Sequence, residues 1–171
     1  QSVLPERMPE AHGGKIDLAP DLFVEDLDRL QTRFSGRGAT ADGELLLIGR
    51  RHLRSNNSWM HNTKRLMKGK PRCTLMINPK DAERIGVQSG DMVKVRSRVG
   101  EVTAPAEVTA DMMSGVVSLP HGFGHGRDGV KLSVATAHPG VSVNDLTDER
   151  VIDELSGNAA FSGVPVMVAS A

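Results

Sequence analysis

The sequence lacks most of what would mark a membrane protein, a disulfide scaffold or a nucleic-acid binder. No apolar stretch approaches the roughly 20 residues that span a bilayer, and the N-terminus carries no signal-peptide pattern, so no membrane insertion is expected. Cys73 is the only cysteine, which excludes an internal disulfide and fits a reducing, cytoplasmic compartment. Because it opens the apolar run Cys73 to Ile77, a buried structural thiol is expected in place of a nucleophile. Net charge is also missing: 21 Lys and Arg balance 21 Asp and Glu, so no global field draws DNA, RNA or an anionic membrane. There is no start methionine at Gln1, and the chain reads as a processed or excised piece.

One local absence says more. Leu45 to Lys80 holds no Asp or Glu, yet contains Arg50, Arg51, Arg54, Lys64, Arg65, Lys68, Lys70, Arg72 and Lys80. A basic run by itself usually just faces water. Here its first part, Gly49 to Asn62, adds two histidines, three asparagines, two serines and the only tryptophan to three of those arginines. Arginine forks match phosphate oxygens, while Ser, Asn and backbone N–H groups serve both phosphates and heterocycle edges. This loop follows the apolar run Leu45 to Ile48, so a strand ends in a binding edge. Trp59 would stack on a ring or anchor the loop's packing, the second being the expectation.

Residues 1–42 are polar, broken by Pro and Gly, and read as a lead-in arm with one helix over Asp21 to Thr32 that Asp21 would cap. Residues 43–171 read as the folded domain. Strands are expected over Glu44 to Gly49, Cys73 to Ile77, Asp91 to Ser97, Glu101 to Thr109, Val116 to Leu119 and Val164 to Ala169, with Val99-Gly100 as a hairpin turn. Pro165 places the last strand at an edge or puts the proline at its start. One two-turn helix is fully punctuated, with Asn78 as cap, Pro79 at its first position and Gly86 as its stop. Pro120 to Gly140 reads as a glycine-rich loop, with Leu132 to Ala135 a short strand inside it. Val141 to Asn144 reads as extended, and a helical turn is possible over Asp148 to Leu155. An alternating strand–helix pattern is missing, so the elements imply a mainly β, closed or nearly closed barrel.

Enzyme motifs fail on their context. Gly124 to Gly129 spells G-x-G-x-x-G but opens no helix, so it is no dinucleotide fingerprint. His121-Gly122-Phe123-Gly124 resembles a lipase oxyanion loop, but no G-x-S-x-G nucleophile exists. His121, His125 and His138 have no carboxylate or second cysteine at a ligand spacing, so no metal site is expected. The carboxylates of Asp145 to Glu154 lie in polar surroundings and read as solvated surface. Three segments rich in binding chemistry remain: Arg50 to Asn62, Pro120 to Gly126, and Asn144 to Asp148. On one barrel rim they would suit a ligand with a diphosphate and a heterocycle.

Asn78 to Ala82, Gly86 to Val95, Ser97 to Gly100, Gly115-Val-Val-Ser-Leu-Pro-His-Gly122 and Val143 to Asp148 occur in this order. Together they resemble the C-terminal molybdopterin-dinucleotide-binding domain of molybdopterin oxidoreductases, the dimethyl-sulfoxide reductase, formate dehydrogenase and nitrate reductase superfamily. The resemblance covers residues 44–169. It implies a double-psi β-barrel with one or two short helices and long loops, with Gly90 and Asp91 as scaffold. It implies molybdopterin guanine dinucleotide as cofactor, clasped by Arg50, Arg51, Ser55, Asn56, Asn57, Ser58, His61, His121, Gly122, Asn144 and Asp145. Molybdenum or tungsten and the catalytic groups would belong to upstream domains of the same polypeptide or complex, leaving this chain alone inactive. The rival implied by the same fold is an adaptor or interaction domain with no cofactor.

Overall fold

The structure is a computed structural model describing residues 15–35 and 43–171. The chain divides into two units, Gln1–Ala39 and Thr40–Ala171. In the first, the described residues form α1 (Asp21–Glu25) and α2 (Leu27–Ser35). The single helix expected here is broken at Asp26, whose carboxylate accepts two bonds from the Arg29 guanidinium at 2.6 and 2.7 Å. Pro20, not Asp21, occupies the N-cap, and no side chain caps the helix.

The second unit is a closed barrel of six strands: β1 (Leu45–Arg50), β2 (Leu75–Ile77), β3 (Met92–Arg96), β4 (Glu101–Val108), β5 (Val116–Pro120) and β6 (Val164–Ser170). Their order around the barrel is β1-β5-β2-β4-β3-β6. The class is mainly β, the double-psi barrel that the resemblance implies. Short helices decorate it: α3 (Lys64–Met67), α4 (Pro79–Ile85), α5 (Ser133–Ala137) and a 3-10 turn over Val143–Leu146.

Alternation explains β3 and β4. Val93 and Val95 point inward, facing Ala104 and Val102, while Met92, Lys94 and Arg96 are exposed. At their hairpin the Ser97 hydroxyl accepts from the N–H of Val99 and Gly100 at 3.2 and 3.3 Å. Helix α4 forms as its punctuation dictates: the Asn78 side chain accepts from Lys80 N–H at 2.9 Å, and Gly86 closes it with φ 78°. Its buried Asp81 accepts from Gly115 N–H at 2.7 Å and pins the turn that enters β5. Asp91 accepts from Gln88 N–H at 2.7 Å, a bond within the turn that leads into β3. The core consists of Leu45, Leu47, Leu75, Ile77, Val93, Val95, Val117, Leu119, Leu146 and their neighbours.

Several local expectations are corrected. Leu132 to Ala135 is not a strand but the entry to α5, whose first N–H groups are met by the side chain of Asn62: Val134 and Ala135 donate to its oxygen at 2.9 and 3.3 Å. Val143–Leu146 is a 3-10 turn because Val143 and Leu146 both bury into the barrel core. Cys73 is buried, but in a separate cluster with Met67 and Phe123, where Val141 N–H points at its sulfur. Pro165 stands near the start of β6, a strand paired on both sides and so not an edge.

Candidate functional site

The parallel pairing of β1 with β5 builds the site. Their register ends with Arg50 opposite Pro120, so the loops that leave both strands emerge from the same end of the barrel. His121 N–H donates to the Arg50 carbonyl at 2.9 Å, continuing the ladder one step into the loops.

Beyond β1 the chain coils into a series of turns: Ser55 and Asn56 N–H donate to His52 O, Met60 to Ser55 O, and His61 to Ser58 O. Asn56 and Asn57 sit in the left-handed region, φ 42° and 59°, where asparagine is among the few side chains readily tolerated. This coil lies against the β5 loop so closely that a Cβ on Gly122 would collide with the Asn57 carbonyl. A Cβ on Gly49 would likewise strike the His121 imidazole. Both glycines are therefore required by the meeting of two backbones and a ring.

The result is a cleft of about 560 Å³ lined by Gly49, Arg51, Asn57, Ser58, His121, Gly122, Asn144, Phe161 and Ser162. Arg51 donates to the Asn57 side-chain oxygen, which steadies its guanidinium over the cleft. Burial, then the nearby Arg51 charge, lower the His121 pKa and favour the neutral ring. Among the described residues no carboxylate lines the cleft. Asp145, beside Asn144, is held by Arg127 instead.

Of the residues expected in a site, Arg51, Asn57, Ser58, His121, Gly122 and Asn144 converge here. The others sit elsewhere. The Arg50 guanidinium donates to Ser118 O at 2.6 Å, Thr74 O at 2.8 Å and Thr74 Oγ1 at 3.0 Å, capping strand carbonyls across the sheet. Desolvation lowers its pKa against the opposing pull of Glu107. Ser55 is buried, its hydroxyl on His52 O. Asn56 is exposed at the coil's bend. His61 is fully buried, with Phe123 and His125 packed edge-on against it. The expectation that Trp59 anchors the loop is overturned: its side chain is 85% exposed. Phe161 and Ser162, which complete the cleft, lie in a short loop before β6 with no binding signature of its own. That loop is drawn in because Gly163 N–H donates to Leu47 O at 2.8 Å. Among the described residues no cluster of His, Cys, Asp or Glu could hold a metal ion. No helix among them is long and apolar enough to cross a membrane.

The donor set fits an anionic ligand bearing a heterocycle. One guanidinium, two amides, two hydroxyls and a neutral imidazole face a space that no acid lines among the described residues, and glycines allow close backbone approach.

Comparison with known proteins agrees with this chemistry. Residues 45–165 match the family described as "Molydopterin dinucleotide binding domain". The molybdopterin-containing component of the arsenate respiratory reductase of Chrysiogenes arsenatis is 32% identical over 120 residues, 66% of this chain and 14% of that protein. The dimethyl sulfoxide reductase of Escherichia coli is 32% identical over 99 residues, 58% of this chain and 12% of its own length. The chain thus spans about one seventh or less of these relatives. Among solved structures, acetylene hydratase from Pelobacter acetylenicus superposes with a TM-score of 0.70 at 22% identity, covering 93% of this chain and 24% of that one, which speaks to the fold. The cofactor of the matched family is molybdopterin guanine dinucleotide. This chain belongs to the molydopterin dinucleotide binding domain family.

Proposed function

We propose that this chain is the cofactor-clasping domain of a molybdenum or tungsten oxidoreductase, and that its acid-free cleft holds part of molybdopterin guanine dinucleotide. The supporting observation is the convergence of Arg51, Asn57, Ser58, His121 and Asn144 on one cleft at the common end of two parallel strands. Arg51 would neutralise the diphosphate, and the amide and hydroxyl groups would bind heterocycle edges. Arg50, Ser55, Asn56, His61 and Asp145 shape the walls around those contacts. When bound, the metal-bearing cofactor supplies the redox chemistry, and this chain's residues hold, orient and shield it. Residues 1–42 serve as a lead-in arm to the 43–171 barrel. Metal ligands and substrate pocket belong to other domains of the same enzyme, in a cytoplasmic, reducing setting that suits the free thiol of Cys73.

Thermal unfolding with and without extracted molybdopterin guanine dinucleotide tests this reading. Saturating ligand at about 100 times its Kd is expected to add about 2.7 kcal/mol of apparent stability. Arg51→Ala and Asn144→Ala should each remove most of the shift, and the chain alone should turn over no substrate with artificial redox dyes. An unshifted transition for the wild-type chain would instead favour an interaction domain without cofactor.

A further inference from the structure

Behind the cleft, outside its lining, two histidines from different loops meet. His125 Nε2 lies 3.0 Å from His61 Nδ1 and 2.9 Å from the Gly122 carbonyl oxygen. The carbonyl can only accept, so His125 Nε2 must carry a hydrogen. That N–H is then shared between Gly122 O and His61 Nδ1. His61 Nδ1 is thereby the acceptor and its proton sits on Nε2, an atom buried without a partner among the described residues. Phe123 closes the other side of the ring, with centroids 4.4 Å apart. A buried N–H left unpaired costs stability, so this arrangement is held by what it connects.

It connects the two walls of the cleft. His61 ends the coil that carries Asn57 and Ser58, and Gly122 belongs to the facing lip. We infer that His125 is a positioning residue: its single N–H bolts the Ser58–His61 coil to the Gly122 lip and sets the width of the cleft. This rests on the cleft being the dinucleotide site. His125 touches none of the cleft-lining space itself, so it acts only through Gly122 and His61.

The bolt works only with a neutral His61. A second proton on Nδ1 would face the His125 N–H directly. Burial first, then the charges of His125, Arg72 and His52, hold the His61 pKa down to about 4. With a folded value of about 4, His61 stays neutral and the bolt intact at pH 6, and protonation breaks it as pH falls towards 4; because that value lies below the ordinary one near 6.5, the stability tied to the neutral ring is fully present above about pH 6.5 and declines over the same descent.

Three measurements on the full chain decide the matter. Nitrogen-15 spectra of the imidazoles should show His61 as the Nε2–H tautomer, neutral at pH 6. His125→Ala should speed amide hydrogen exchange in residues 55–62 and 121–126 while the barrel strands keep wild-type protection. The same variant should bind molybdopterin guanine dinucleotide about 10-fold more weakly, the loss of one shared buried hydrogen bond. His125→Gln, which keeps an N–H donor, should recover part of both. If the wild-type chain binds and His125→Ala binds equally well with unchanged loop exchange, the inference is wrong and the cleft assignment stands. If the wild-type chain fails to bind, the cleft assignment falls, and the tautomer and exchange data still decide whether the bolt exists.

Discussion

Arg50 and Arg51 are neighbours with the same side chain and opposite employment. Arg50 spends its fork on Ser118 and Thr74, and Arg51 leans over the cleft. Charge-assisted bonds of this kind are worth roughly 1.5–3 kcal/mol each. Arg50→Ala is therefore expected to lower unfolding stability by about 2–4 kcal/mol in urea titrations, since the bonds share one side chain. Arg51→Ala should move urea stability by less than about 0.5 kcal/mol and act on ligand affinity, since only exposed contacts are lost. Equal stability losses in the two variants would contradict this division. Sequence could nominate both arginines but not separate them: successive residues at a strand end face opposite sides, and which side meets carbonyls depends on β2 and β5, far along the chain. His61 shows the same limit. An imidazole in a polar loop looks like a ligand contact, and its burial follows only from Phe123 and His125 arriving from another loop.

Among the elements, those with complete local punctuation were legible and those held by distant partners were not. Helix α4 carries its own cap and stop, and it forms over Pro79–Ile85 as its residues indicate. Asn78→Ala removes the bond from Lys80 N–H and the 2.6 Å bond from Asn78 Nδ2 to Met112 O. The expected cost is about 1–2 kcal/mol with the fold retained, measured by the urea midpoint at constant slope. An unchanged midpoint would show that the cap contributes nothing. Helix α5 had no such markers, because its N–H groups are met by Asn62, over 70 residues earlier. The 3-10 turn at Val143–Leu146 was hidden likewise, since two apolar residues three apart suit either an extended or a coiled segment until the core beneath them is known. The three binding segments were nonetheless visible as loops, because their composition is unsuited to a core.

For the whole molecule, charge is balanced in number but not in place. None of the nine cations between Arg50 and Lys80 forms an ion pair among the described residues, while Arg98 and Arg127 are engaged by Asp148, Glu149 and Asp145. The Asp148 carboxyl is pulled down to about 2, first by its bonds from Arg98. Among the described residues Arg51 stands at the cleft with no ion-paired carboxylate, so affinity for an anionic ligand should weaken as salt rises.

The closed strand order also governs how one barrel meets another copy of itself. Every strand of the barrel has a neighbour on both flanks, from β1 round through β6. Among the described residues the folded barrel therefore offers no bare row of backbone donors for another copy to stitch onto. Aggregates formed on warming must then come from molecules that have already opened, so turbidity onset should coincide with loss of the far-ultraviolet β-sheet signal at every heating rate. Fibrils appearing well below that transition would mean that the ring unzips at one seam first, and the short β2–β5 pairing, Met76 with Ser118 and Ile77 with Val117, would be the seam to examine.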